Sequence, residues 1–225
     1  MCIRDSPYNK WLGRQARFRL DAEVVRDVAL ASSGLLSAKM GGPGVFPPQP
    51  DGCMDLGQHR KTWKASGGED RFRRAAYTYR WRNTPHPALK VFDAPAGLAA
   101  CTRRIRSNTP LQALTLMNDP AFVELALGLA KRLMAETDSS AKRIRLGYRL
   151  CLGREPAAEE LRLLPGLVER QRSEFAAQSA EAESVVATSR SLGQATQPAS
   201  SNAELAAWTM AARVLLNLDE TITRE

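Results

Sequence analysis

Residues 108–135 read NTPLQALTLMNDPAFVELALGLAKRLMA, and their punctuation decides the fold class. Thr109 suits an N-cap. Pro110 suits the first helical turn, where its missing N–H removes no hydrogen bond, and Gln112 completes a capping-box pattern. The short helix opened there is predicted to end near Asn118. Asp119-Pro120 repeats the cap-then-proline device and opens a longer helix to about residue 135. Phe122, Ala126, Leu129 and Leu133 recur at helical spacing and form one apolar face. A helix with such a stripe is stable only when it packs against other helices.

The chain downstream supplies them. Ser139 or Ser140 starts a helix to Leu152 with Ile144, Tyr148 and Cys151 inward, and Gly153 suits the left-handed position after it. Pro156 opens a long amphipathic helix to about Gln178, with a kink or break predicted at Pro165, which cannot donate within the helix. Residues 179–202, rich in Ser, Ala, Gln and Thr, read as a flexible linker. Asn202 caps a last helix to Leu218, with Leu205, Trp208, Thr209, Ala212, Leu215 and Leu216 inward. Several helices on short connections predict bundle-like packing.

The front half differs. Residues 1–110 hold 19 Lys/Arg and 9 Asp/Glu, whereas 111–225 hold 13 and 15, so the whole +8 excess lies in front. Asp21 can cap a helix over 22–37, with Val25, Val28, Ala29, Leu35 and Leu36 on one face. Gly41-Gly42-Pro43-Gly44 stops any helix, and Pro47, Pro48 and Pro50 keep the chain extended. Residues 51–70 show no period and read as loop, with a turn at Gly67-Gly68. In 75–82, Tyr77, Tyr79 and Trp81 alternate with Thr78, Arg80 and Arg82, which predicts a short aromatic strand ended by Thr84-Pro85-His86-Pro87. The expected architecture is mainly α: a bundle-like helical half over 108–225, and an irregular, basic, Gly/Pro-rich half over 7–107 with one helix and one or two short strands.

Composition sets bounds. Of 225 residues, 44% are apolar and 25% charged, as in an ordinary folded domain. No apolar run approaches the ~18 residues of a spanning helix. Four cysteines are too few for a disulfide-built scaffold. Residues 1–6, Met-Cys-Ile-Arg-Asp-Ser, lack the pattern of a secretory signal and look like translated adaptor sequence joined to a truncated gene. The expectation is therefore a fragment, beginning near Pro7, of something larger.

An ordered series of segments carries a family likeness. It runs from Phe18-Arg19-Leu20-Asp21-Ala22-Glu23 through Gly41-Gly42-Pro43, Val45-Phe46-Pro47, Tyr77-Thr78-Tyr79 and Phe92-Asp93-Ala94-Pro95. Cys101-Thr102-Arg103-Arg104, Arg106 to Leu114, Asn118-Asp119-Pro120 and Leu215 to Glu220 complete it. Together these resemble domain of unknown function 1553, the C-terminal domain of planctomycete-type surface proteins that carry a cytochrome-c-like domain. The resemblance implies an exported, multidomain parent, thought of beside sulfatases and polysaccharide breakdown. It brings no catalytic residue with it, and the family's haem would belong to an upstream domain. The sequence departs from relatives at Cys53-Met54-Asp55, where they keep an aromatic-containing stretch.

The chemistry-bearing residues narrow the function. No C-x-x-C-H run is present for a c-type haem. The only histidines are His59 and His86. His86, between two prolines, is a weak candidate axial ligand for a partner domain's haem; the plainer reading is a loop histidine, hydrogen-bonded or solvated. Cys53, Cys101 and Cys151 lack metal-ligand spacing, so no metal is expected, and their pairing is left open. No G-x-S-x-G or Cys/His signature marks a nucleophile, and no catalytic residue is assigned. Asp93 is expected to organise a turn through backbone N–H groups. The basic-aromatic stretch stands out. Tyr77, Tyr79 and Trp81 can stack on sugars or bases, and Arg80 and Arg82 can hold sulfate, carboxylate or phosphate. As a strand it would place rings and cations on opposite faces, which favours rings packed inward and solvated arginines.

Three functions remain. The first is a non-catalytic docking module that meets upstream domains of its parent through the basic half. The second is a module binding acidic or sulfated polysaccharide, with nucleic acid disfavoured. The third is part of an oxidoreductase completed by a missing haem domain.

Overall fold

The computed structural model describes residues 17–56, 61–187 and 201–224. His59 and residues 1–6 lie outside the described residues, as does 188–200 of the expected linker.

The chain is mainly α, with eight helices among the described residues: α1 (Ala22–Ser33), α2 (Pro87–Val91), α3 (Pro110–Asn118), α4 (Pro120–Glu136), α5 (Ser140–Leu152), α6 (Ala158–Ala177), α7 (Ser179–Ala187) and α8 (Asn202–Asn217). Two short strands, β1 (Phe18–Arg19) and β2 (Thr223–Arg224), pair antiparallel with Phe18 opposite Arg224 and join the front of the chain to its end.

The core is built on α4 and α8. Ala126, Leu127, Leu129, Ala130 and Leu133 of α4 and Ala206, Ala207, Thr209 and Ala212 of α8 are wholly buried. Each fully buried leucine contributes about 1.5–3 kcal/mol relative to exposure. α1 packs on α4, and α6 and α7 pack on α8. Two glycines allow close approach: a Cβ at Gly128 would lie 2.5 Å from Leu35 Cδ1, and one at Gly147 would lie 2.6 Å from Leu215 Cδ1.

The predicted stripes of α4, α5 and α8 are buried as expected. Several local expectations are corrected. α1 ends at Ser33, short of 37, because Gly34 turns left-handed at φ 74° and the N–H groups of Leu35 and Leu36 fold back on Leu30 O. Leu35 is thereby freed to fill the notch at Gly128. Residues 179–187, expected to be linker, form α7, because Ala182 and Val186, four residues apart, bury against α8. Of the kink or break expected at Pro165, no break occurs: α6 is one helix through it, although Leu161 O loses its usual donor there. α2 was not anticipated; Pro87 occupies its first turn.

The capping residues also shift. Thr109 makes no side-chain cap bond. Gln112, instead of completing a box, is buried, and its Nε2 donates to Val91 O (3.1 Å) and Ser107 Oγ (3.2 Å). Ser201, one residue before Asn202, caps α8 by accepting from Glu204 N–H. Asp119 caps α4 as read, accepting from Ala121 N–H at 2.9 Å, and stands where α3 and α4 meet at 59°.

The aromatic strand over 75–82 does not form. Residues Ala75–Tyr77 make a single tight turn, and the following backbone pairs only with Val45, through Val45 N–H to Tyr77 O (2.8 Å) and Tyr79 N–H to Val45 O (2.7 Å). The segment is extended at this bridge but has no neighbouring strand to extend it into a ladder.

Candidate binding surfaces

The Val45 bridge positions the first surface. It lays residues 44–46 beside 77–79 and stacks Phe46 on Tyr79, with ring centroids 4.9 Å apart and planes at 21°. Tyr79 meets Trp81 at 5.1 Å, Phe46 meets Trp63 at 5.0 Å, and Trp63 meets His86 at 5.6 Å. Five rings thus form a continuous row: Trp81, Tyr79, Phe46, Trp63 and His86. A Cβ at Gly44 would stand 3.2 Å from Tyr79 Cδ2, so a glycine there lets Tyr79 lie close. Trp63 Nε1 donates to Pro47 O at 2.7 Å, which fixes the middle of the row. The Lys61 ammonium sits 4.1 Å from the centroid of Trp81, a cation–π distance.

Of the predicted binding residues, Tyr79 and Trp81 belong to this row and Tyr77 does not. Tyr77 turns away: its hydroxyl accepts from Gly41 N–H at 2.9 Å and the Arg73 guanidinium lies 3.9 Å over its ring. Arg73 in turn donates to Pro43 O and Gly41 O. Arg80 and Arg82 are exposed and make no ion pair among the described residues, and the Arg80 side chain lies against Gly97. Phe46, Trp63 and Lys61 were missed by the sequence reading because they sit in segments without periodicity. The only signal was two aromatics among prolines and lysines.

His86 closes the buried end of the row, at 3% exposure. Its Nε2 donates to Pro48 O at 2.9 Å, which leaves the lone pair on Nδ1, enclosed and without a partner. Burial pushes its pKa down to about 4, against the pull of the Pro48 hydrogen bond and with help from nearby Arg26. The ring is therefore neutral at pH 7. Both ring nitrogens are turned inward, one bonded to Pro48 O and the other enclosed.

The second surface is the segment joining α2 to α3. Asp93, at φ 61°, accepts from both the N–H and the hydroxyl of Ser107 at 2.7 Å, so it closes this loop across fourteen residues rather than a local turn. Arg104 grips Glu23 with two bonds (2.6 and 3.2 Å), and Arg106 meets Asp21 at 3.3 Å and lies 5.2 Å over Phe18. Asp21, expected as a side-chain cap, gives its carboxylate to these arginines instead. Residues Arg103 to Arg106 line an open cavity of about 720 Å³. The same stretch exposes large apolar side chains: Leu98 (68%), Ile105 (77%), Leu111 (56%) and Leu114 (57%).

Between the two surfaces lies a buried charge cluster. Arg26 donates to Arg71 O at 3.0 Å, and Arg71 Nε holds Glu124 at 2.7 and 3.0 Å. Burial lowers Arg26 to about 10 and raises Asp119 to about 6. The three described cysteines are free thiols, with Cys101 exposed, Cys53 half-buried and Cys151 buried. Among the described residues no group of three His, Cys, Asp or Glu is placed to hold a metal. Among the described residues no single helix is long and apolar enough to cross a membrane.

A family model described as "Protein of unknown function (DUF1553)" matches residues 2–168. No curated protein and no solved structure matches the chain.

Proposed function

Since the chain belongs to the DUF1553 family, whose function is unknown, we propose that it is a non-catalytic docking module of a larger exported protein. The observation that carries this reading is the concentration of exposed apolar side chains in one short stretch. Leu98, Ile105, Leu111 and Leu114 project from 98–114, interleaved with Arg103, Arg104 and Arg106. An apolar patch rimmed by charge is the usual mark of a protein contact. Burying each of these side chains contributes up to about 1.5–3 kcal/mol.

The proposed occupant is an upstream domain of the parent protein. Phe18 lies beneath Arg106, and Arg17 pairs with Asp219, so the chain enters the fold beside this very stretch. A preceding domain is thereby delivered next to the patch at high effective concentration. Arg103, which has no carboxylate partner among the described residues, calls for an acidic group on that domain.

Cys101 provides the test, since its exposed thiol lies within the stretch. Maleimide labelling resolved by mass spectrometry is compared between this chain and its intact parent. Slower labelling at Cys101 in the parent is expected; equal rates would remove the reading.

A second reading, binding of acidic polysaccharide, is favoured by the ring row and its unpaired cations. The oxidoreductase reading draws no support from His86, whose two nitrogens are both enclosed.

A further inference from the structure

We infer that the Trp81–Tyr79 end of the ring row, with Lys61, Arg80 and Arg82, binds a pyranose chain bearing carboxylate or sulfate groups along its outer flank. This deepens the polysaccharide reading by assigning its residues and its mode.

The row is most open at Tyr79 and closed at His86. Tyr79 is 38% exposed, Trp81, Phe46 and Trp63 are half-buried, and His86 is 3% exposed. It is anchored from behind at three points: Tyr79 N–H on Val45 O, Trp63 Nε1 on Pro47 O and His86 Nε2 on Pro48 O. The open end is therefore held in place before any ligand arrives, and little ordering entropy is lost on binding. The indole N–H of Trp81 is enclosed and has no hydrogen-bond partner among the described residues, so its neighbours' rings and Lys61 hold it.

Part of the protein's positive charge is already engaged elsewhere. Arg71, Arg104, Arg106 and Arg154 each hold a carboxylate. Lys61, Arg80 and Arg82 hold none among the described residues, although Arg80 and Arg82 bracket Trp81 in the chain. Because 75–82 is not a regular strand, strict alternation does not fix where its cations lie, and the Arg80 side chain rests against Gly97. Lys61 arrives from a separate segment onto the Trp81 face itself. The ligand's C–H groups meet the ring surface left open at Tyr79 and Trp81, since Phe46 covers one face of Tyr79 and Lys61 one face of Trp81. Its anionic groups meet planar guanidinium forks.

The spacing rules out a base slotted between two rings and leaves a base stacked on one outer ring as the competing ligand. A base slotted between two rings needs them about 7 Å apart, twice the ~3.4 Å stacking step. Successive centroids here are 4.9 to 5.6 Å apart and the rings touch, so no slot exists.

The experiment titrates the chain at low salt with heparin, polygalacturonate, a neutral glucan and single-stranded DNA, following heat by calorimetry. Heparin separates sulfate recognition and polygalacturonate separates carboxylate recognition. Binding of at least one of them, weakening as salt rises, is expected, with no heat from the glucan. Tyr79→Ala and the double variant Arg80→Ala/Arg82→Ala are each expected to weaken binding about tenfold. The arginine pair is exposed, so that variant keeps the test valid if the ring variant misfolds. Absence of binding to both anionic polymers overturns the polysaccharide reading as a whole. Binding that resists Tyr79→Ala in a folded variant leaves that reading standing and overturns the assignment to the ring row. DNA binding as tight as the glycans overturns the choice of ligand.

Discussion

Asp119→Asn tests the electrostatics of the buried centre. Asp119 is 6% exposed, and burial raises its carboxyl from 3.8 to about 6, although the Ala121 N–H and Arg26 favour the ionised form. A carboxyl raised in this way stabilises the fold fully below pH 3.8, and that contribution is lost as pH climbs through about 6. The gap between those values is worth about 3 kcal/mol. His86 runs oppositely. Held down from 6.5 to about 4, it stabilises the fold above 6.5, and that contribution, also about 3 kcal/mol, is lost as pH falls through about 4. The two ramps share one pH window and oppose each other, with Asp27, also raised by burial, tilting with Asp119. The parent is therefore expected to show little pH dependence between about 4 and 6.5 from this centre.

Asparagine keeps the cap, since its carbonyl still accepts from Ala121 N–H. It deletes only the Asp119 ramp. At pH 7 the variant is expected to gain about 1–2 kcal/mol, short of the full amount because Arg26 loses a nearby carboxylate. On acidification the uncovered His86 ramp then lowers its stability by about 3 kcal/mol. Urea unfolding at pH 4.5, 5.5 and 7 measures both. A variant less stable than the parent at pH 7, with a parallel pH profile, would refute the reasoning, because the carboxylate would then be a net stabiliser.

Three further changes probe the packing. Glu124→Ala leaves Arg71 buried without that carboxylate and should lower stability by about 3–5 kcal/mol in urea unfolding. Leu133→Ala, at a wholly buried position facing Gly147, should cost about 2–5 kcal/mol and lower the Tm by several degrees in a calorimetric scan. Gly147→Ala should destabilise by about 1–2 kcal/mol on thermal unfolding, because the 2.6 Å approach to Leu215 outweighs the ~1 kcal/mol helix-propensity gain; pairing it with Leu215→Val should restore part of the loss.

Legibility followed periodicity. Phe122, Leu129 and Leu133, and likewise Trp208, Leu215 and Leu216, repeat at helical spacing over several turns, so their burial could be read directly. Tyr77, Tyr79 and Trp81 also repeat, over only three positions, and such a run is compatible with any extended chain. Whether it becomes a ladder depends on a neighbouring strand, and the one neighbour is Val45, thirty or more residues away. α7 was hidden because its composition resembles a linker; the α8 face that covers Ala182 and Val186 supplies most of its stability. The binding residues were half legible for a related reason. Tyr79 and Trp81 were picked out by residue type, whereas Phe46, Trp63 and Lys61 join them only through contacts between segments.

By itself the chain's sequence determined the apolar stripes of α4, α5 and α8, the Asp119 cap and the concentration of positive charge in front, because each depends on residues within a few turns of one another or on composition alone. Only the tertiary structure decided which aromatics share a surface, which arginines are neutralised and which are left unpaired, and that His86 is sealed inside. Those outcomes depend on which distant segments meet, and burial, ring contact and ion pairing have no expression until they do.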